Sequence, residues 1–201
     1  MREILHYLWR MLPAALLALG FYLAARPLRL RRLQSKHLAT TTAHETALAL
    51  FFVLLAGLLW LTVLPEILWE DGRLVLRPEG LGGFNLRPFI IFYHSRILAR
   101  QGNTTYFLIN FWGNIAMFLP VGFFPAILWR KGRWWKAMLS GAGLSLAIEL
   151  CQLPMARGTD IDDLWLNTLG ALLGYGLAWL VQKLWPALVQ QCKVREVSPW
   201  T

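Results

Sequence analysis

The apolar residues fall into five long runs separated by polar segments: Leu8–Ala25, Ala43–Leu64, Tyr106–Trp129, Ala137–Leu153 and Leu164–Trp185. Each approaches or exceeds the roughly 20 residues that a helix needs to cross a bilayer. Lipid offers the backbone no hydrogen-bond partner, so such runs must be helical. The pattern predicts an all-α, polytopic helical membrane protein with about five transmembrane helices. It divides the chain into an N-terminal helix with a basic linker (1–42), a membrane domain (43–185) and a tail (186–201).

The segment Pro65–Thr105 between the second and third runs is too long for an idle loop on length alone. Within it Leu74-Val75-Leu76 reads as a short strand and the Gly- and Pro-containing stretch Arg77–Gly83 as turns. Pro88–Leu98 reads as an interfacial amphipathic helix, with aromatics at headgroup depth and Arg96 and Arg100 near phosphates. Asn103-Thr104-Thr105 matches a glycosylation acceptor, a pattern too common by chance to assign.

Composition narrows the class. A chain that is 57% hydrophobic and 15% charged is neither disordered nor an ordinary soluble domain. Its net charge of +9 would suggest nucleic acid in a soluble protein, but the charge is partitioned by the runs. The first-to-second linker carries Arg26, Arg29, Arg31, Arg32 and Lys36. The third-to-fourth carries Arg130, Lys131, Arg133 and Lys136, and the tail region adds Lys183, Lys193 and Arg195. Only Glu45 and Glu196 oppose them, so one side is strongly positive and the other close to neutral. The positive-inside rule then places the N-terminus outside and the C-terminus in the cytoplasm, and the excess charge needs no nucleic acid.

A cleavable signal peptide is the rival reading of the first run, but cleavage after Ala25 would leave the Arg26–Lys36 cluster outside, against the charge rule. Cys151 and Cys192 fall near opposite faces of this topology, so they cannot pair.

Polar residues inside spans cost free energy, which makes the few present informative. Ala137, Gly141, Ser145 and Glu149 recur at four-residue intervals on the fourth run, a small-residue stripe that turns Glu149 toward the bundle interior. On the fifth run Asp160, Asp163, Asn167, Gly170, Gly174 and Ala178 form one stripe, polar at its start and small below. Asp160 or Asp162 can cap that helix and Asp163 lies in its first turn. Asn110 and Asn114 share a face of the third run, ahead of a kink expected at Pro120. The topology gathers these groups, with Asn85, Arg87, Gln152 and Arg157, at the external face. The economical expectation is a polar pocket open to the outside.

Three stretches carry a resemblance: Asn114-Ile-Ala-Met-Phe-Leu-Pro120-Val-Gly122-Phe123, then Glu149-Leu-Cys-Gln152, then Arg157-Gly-Thr-Asp160-Ile-Asp162-Asp163 running on to Asn167, Gly170 and Gly174. Together with Asn85-Leu-Arg-Pro88-Phe89 they resemble the VanZ-like membrane proteins over roughly Leu50 to Leu180. The resemblance implies a protein of the bacterial inner membrane, in a family whose founding members are linked to low-level resistance to the glycopeptide teicoplanin. Arg87 departs from the pattern, standing where an apolar residue is common.

Two functional classes follow. In the first, the pocket binds a lipid-linked cell-wall precursor, an anionic lipid headgroup or a glycopeptide. Arg157 and Arg87 would hold phosphate or carboxylate, and Glu149, Gln152, Asn114 and Asn167 would bond sugar or amide groups. In the second, the protein is a hydrolase or transferase acting on a phosphorylated lipid headgroup, with Glu149 or Asp163 as catalytic candidates. A divalent cation could then sit at Asp160 and Asp163, although the first reading needs no cofactor. His6, His37, His44 and His94 lie away from the cluster, which disfavours histidine-based chemistry. A transporter has less support, because no inverted repeat is detectable.

Overall fold

A computed structural model of the chain describes residues 2–64, 66–70, 73–77, 83–103, 105–129, 132–153 and 158–196. The protein is a helical bundle. Helices α1 (Arg2–Gln34) and α2 (Thr42–Val63) form one pair. A helical segment from Thr105 to Leu128 follows a loop region. It comprises α4 (Thr105–Phe107), a π-helical stretch Leu108–Trp112 and α5 (Gly113–Leu128). Helix α6 (Trp134–Gln152) and α7 (Ile161–Leu184) complete the bundle. Helix α7 packs against both α5 and α6, while α2 links α5 to α1.

Among the described residues four segments, Trp9–Gln34, Thr42–Val63, Thr105–Leu128 and Ile161–Leu184, are long and apolar enough to cross a membrane. Helix α6 is the remaining predicted span. Its 19 residues would reach about 28 Å at the α-helical rise, but Lys136, Ser140, Ser145, Glu149 and Gln152 dilute its apolar character.

Burial along α6 is the reverse of a soluble helix. Ala137, Gly141, Ser145 and Glu149 are buried, whereas Leu139, Leu146 and Leu150 are exposed. Helix α7 repeats this arrangement, with Asn167, Gly170, Gly174 and Ala178 inside and Leu173, Leu177 and Leu180 outside. Small and polar side chains pack the interior and large aliphatic ones face outward, as a lipid solvent demands. A Cβ added at Gly174 would lie 2.0 Å from the Leu119 carbonyl oxygen, and one at Gly122 would lie 1.8 Å from that of Ala171. The α5 and α7 backbones are therefore in direct contact at both positions, which only glycine allows.

The first run extends further than its hydropathy suggests. Helix α1 continues through Pro27 and the basic cluster to Gln34. Glu45, near the start of α2, explains why: Arg26 and Arg29 both reach its carboxylate, and the Tyr22 hydroxyl donates to it over 2.9 Å. The tail docks on the same end. Helix α8 (Pro186–Gln191) brings the Cys192 carbonyl within 2.7 Å of His44 Nδ1. Strand β6 (Arg195–Glu196) pairs antiparallel with β1 (Leu38–Ala39). A core of Tyr22, Leu48, Ile127, Leu128, Ala178 and Val189 lies beneath this basic pole.

In the long segment, the strand expected around Leu74–Leu76 is β3 (Arg73–Arg77), paired antiparallel with β2 (Glu66–Glu70). Strand β4 (Gly83–Asn85) pairs in parallel with β5 (Gly158–Asp160), a link across the sequence that no local pattern announces. The amphipathic helix is α3 (Ile90–Arg100). Its Phe92 joins Phe107, Phe111 and Trp165 in an aromatic cluster with centroid distances of 5.7 to 6.5 Å.

Candidate functional site

The three aspartates that open α7 have three different partners. Asp160 is the N-cap of that helix: its Oδ1 accepts the Asp162 backbone N–H at 2.9 Å. The same oxygen accepts from Asn85 Nδ2 at 3.0 Å, so the side chains reinforce the β4–β5 pairing. Both elements are thereby held against the start of α7.

Asp162 is almost fully buried and reaches the other way, to α3. Its Oδ1 accepts from the Phe89 backbone N–H at 2.6 Å and from Trp165 Nε1 at 2.8 Å, while Oδ2 accepts the Ile91 N–H at 2.8 Å. A carboxylate from α7 thus caps α3 in trans. Phe89, the N-cap residue of α3, has φ of 65°, in the left-handed region that costs a non-glycine residue about 1 kcal/mol or more. The paired backbone bonds to Asp162 offset that cost.

Asp163, half-buried, faces the bundle, where its Oδ1 accepts from Asn114 Nδ2 on α5. It lies within electrostatic range of Asp160, Glu149 and Asp162. Asn167, one turn further along, donates to Ser145 Oγ on α6 at 2.9 Å. Its Oδ1 is buried and has no hydrogen-bond partner among the described residues. Buried amide oxygens are nearly always satisfied, which sets this one apart. Glu149 is buried one helical turn beyond Ser145.

Several expected members sit elsewhere. Gln152 is turned toward α2, where its Nε2 donates to the Thr62 carbonyl at 2.7 Å. Asn110 lies in the π-helical stretch and donates to the Tyr106 carbonyl of its own helix at 2.9 Å. Arg87 is exposed, and its backbone N–H bonds to Asn85 Oδ1. Arg157 lies outside the described residues. Two neighbours were not anticipated. Trp165 supplies a donor to Asp162, and Tyr106 stands within electrostatic range of all three aspartates. Both are aromatic residues near a span end, where belt anchoring is the default reading.

Among the described residues no three His, Cys, Asp or Glu side chains converge as a metal ion requires. Asp160, one of the two carboxylates considered for a cation, is engaged by an amide and a backbone N–H.

The motif residues thus meet at the ends of α5, α6 and α7, and the model of the VanZ/LLP1 family matches residues 51–182, the segment that contains all of these contacts. The chain belongs to the VanZ/LLP1 family. No curated protein matches the chain, and neither does any solved structure. Within this VanZ-like chain, the matched segment begins inside α2 and ends inside α7, so α1 and the docked tail lie largely outside it.

Proposed function

We propose that the acid-rich pole of this bacterial inner-membrane protein faces the outside and binds the headgroup of a lipid-linked cell-wall precursor or a related envelope lipid. The observation that carries the reading is the unsatisfied Asn167 Oδ1 beside Ser145, on the same face of α7 as the Asp163–Asn114 pair. Asp160 and Asp162 are accounted for by capping and by the strut to α3, so the remaining polarity is concentrated at Asp163, Asn114, Asn167 and Glu149. Such a site is rich in acceptors. It suits hydroxyl and amide donors of a sugar or peptide headgroup. A link to teicoplanin tolerance would follow from holding the precursor that the glycopeptide targets.

The test is saturation binding of a fluorescent lipid-linked precursor to the full chain in lipid nanodiscs. Asn114→Ala and Asn167→Ala should each weaken binding by roughly tenfold, the worth of one hydrogen bond in a dry site. The Asn114→Ala variant should also lose any teicoplanin tolerance that expression confers. Absence of saturable binding by the unaltered protein, or full affinity in both variants, would overturn the reading.

A further inference from the structure

The opposite pole holds a second site, and its inference does not depend on the function proposed above. A cavity of about 400 Å³ opens between the ends of α5 and α7 and the tail, with Lys183, Lys193 and Gln182 beside Trp129 and Trp179. A neighbouring cavity of about 400 Å³ lies between α5 and the start of α6, with Arg133 and Lys136 at its rim. Ala126, Trp129, Gly132 and Tyr175 line both, so the two adjoin.

The two halves differ in character. The second is mostly apolar and extends toward the bundle along Gly122, Pro125 and Ala137. Around the mouth, Arg133, Lys136, Lys183 and Lys193 have no carboxylate partner among the described residues. Glu45, one of the two acids on this side, is engaged by Arg26 and Arg29. The other, Glu196, lies on β6 opposite Leu38. Lys136 and Lys183 rest over Trp135 and Trp179, with the ammonium 5.6 and 5.4 Å from the ring centroids. Stacked this way, the cations are held beside tryptophans at the span ends, the depth of lipid headgroups.

Uncompensated cations at headgroup depth above an apolar cleft match one class of molecule. We propose that this groove is a specific site for an anionic diacyl phospholipid of the adjoining leaflet. Its phosphate lies among Lys183, Lys193, Arg133 and Lys136, and an acyl chain runs past Trp129 and Tyr175 into the apolar arm. Basic pockets between membrane helices recognise anionic headgroups by this combination.

The test uses the full chain in detergent micelles, with binding of fluorescent phosphatidylglycerol and fluorescent phosphatidylcholine read by anisotropy. Phosphatidylglycerol should bind saturably and more tightly. The double variant Lys183→Gln/Lys193→Gln should weaken it about 25-fold, at roughly fivefold per lysine near an anionic surface. Phosphatidylcholine binding should not change. Arg31→Gln/Arg32→Gln removes two exposed charges from the same pole away from the cavity and should leave phosphatidylglycerol affinity within twofold. Equal losses in both double variants would reduce the effect to diffuse surface attraction and overturn the site. Equal affinity for the two lipids would overturn it, as would displacement of the probe by free glycerol phosphate.

Discussion

Asp162 and Asp163 are adjacent in sequence and differ in task. The first accepts three donors, two of them backbone N–H groups of another element, so its removal leaves buried donors without an acceptor. Asp162→Ala should destabilise the protein by about 3 kcal/mol or more, read as a lowered unfolding midpoint in detergent. Glu45 is the comparable residue at the other pole. Glu45→Ala strands Arg26 and Arg29, and the expected loss is about 1 to 3 kcal/mol. This falls short of the roughly 3 to 5 for a fully buried pair, because the Arg26 side chain is 47% exposed. An unchanged midpoint in Glu45→Ala would mean that α1 is held by other contacts. The sequence offered Asp160 or Asp162 as the cap of α7, because capping is local chemistry, and Asp160 fills that role. The role of Asp162 was not legible, because its partners are the N–H groups of Phe89 and Ile91, more than 70 residues away.

At the scale of elements, period carried most of the information. The stripe Ala137, Gly141, Ser145, Glu149 is buried along its whole length, since four-residue spacing fixes a helix face whatever the tertiary context. The end of α1 was read too early. Hydropathy falls after Ala25, yet Leu and Arg are good helix formers and Glu45 supplies the counter-charge of Arg26 and Arg29. Strand β2 went unread because Glu66-Ile-Leu-Trp-Glu70 is too short and mixed to show alternation, although Asp71-Gly72 follows it in a sequence typical of tight hairpins. Glycines on α7 give a paired prediction. Gly174→Ala would place a methyl against the Leu119 carbonyl and should cost about 2 kcal/mol or more through helix separation. Gly176 has open space around its Cβ position, so Gly176→Ala should be neutral or stabilising by up to about 1 kcal/mol. Equal thermal midpoints for the two variants would contradict the close packing of α5 on α7.

For the whole molecule, the two poles are chemically distinct, with acids and amides at one and a concentration of cations at the other. The charge partition was legible because it depends only on which residues lie between the spans. The docking of the tail onto α2 was not, since β1 and β6 are two residues each and lie at opposite ends of the chain. Orientation can be read with an impermeant maleimide on intact cells, in a Cys151→Ser background because native Cys151 is exposed. Cysteine at exposed Arg87 should label, and cysteine at exposed Arg195 should not; the reverse pattern would invert the topology. Native Cys192 should contribute little background, because burial pushes its thiol up and leaves less reactive thiolate at neutral pH. The central claim is that the acid-rich pole combines a structural strut with a ligand-binding face. Its most direct test is precursor affinity and unfolding midpoint measured together on Asp162→Asn and Asp163→Asn. The account predicts a lowered midpoint for the first, and for the second a near-native midpoint with affinity reduced by roughly tenfold or more. Native affinity in Asp163→Asn, with both variants differing only in stability, would contradict it.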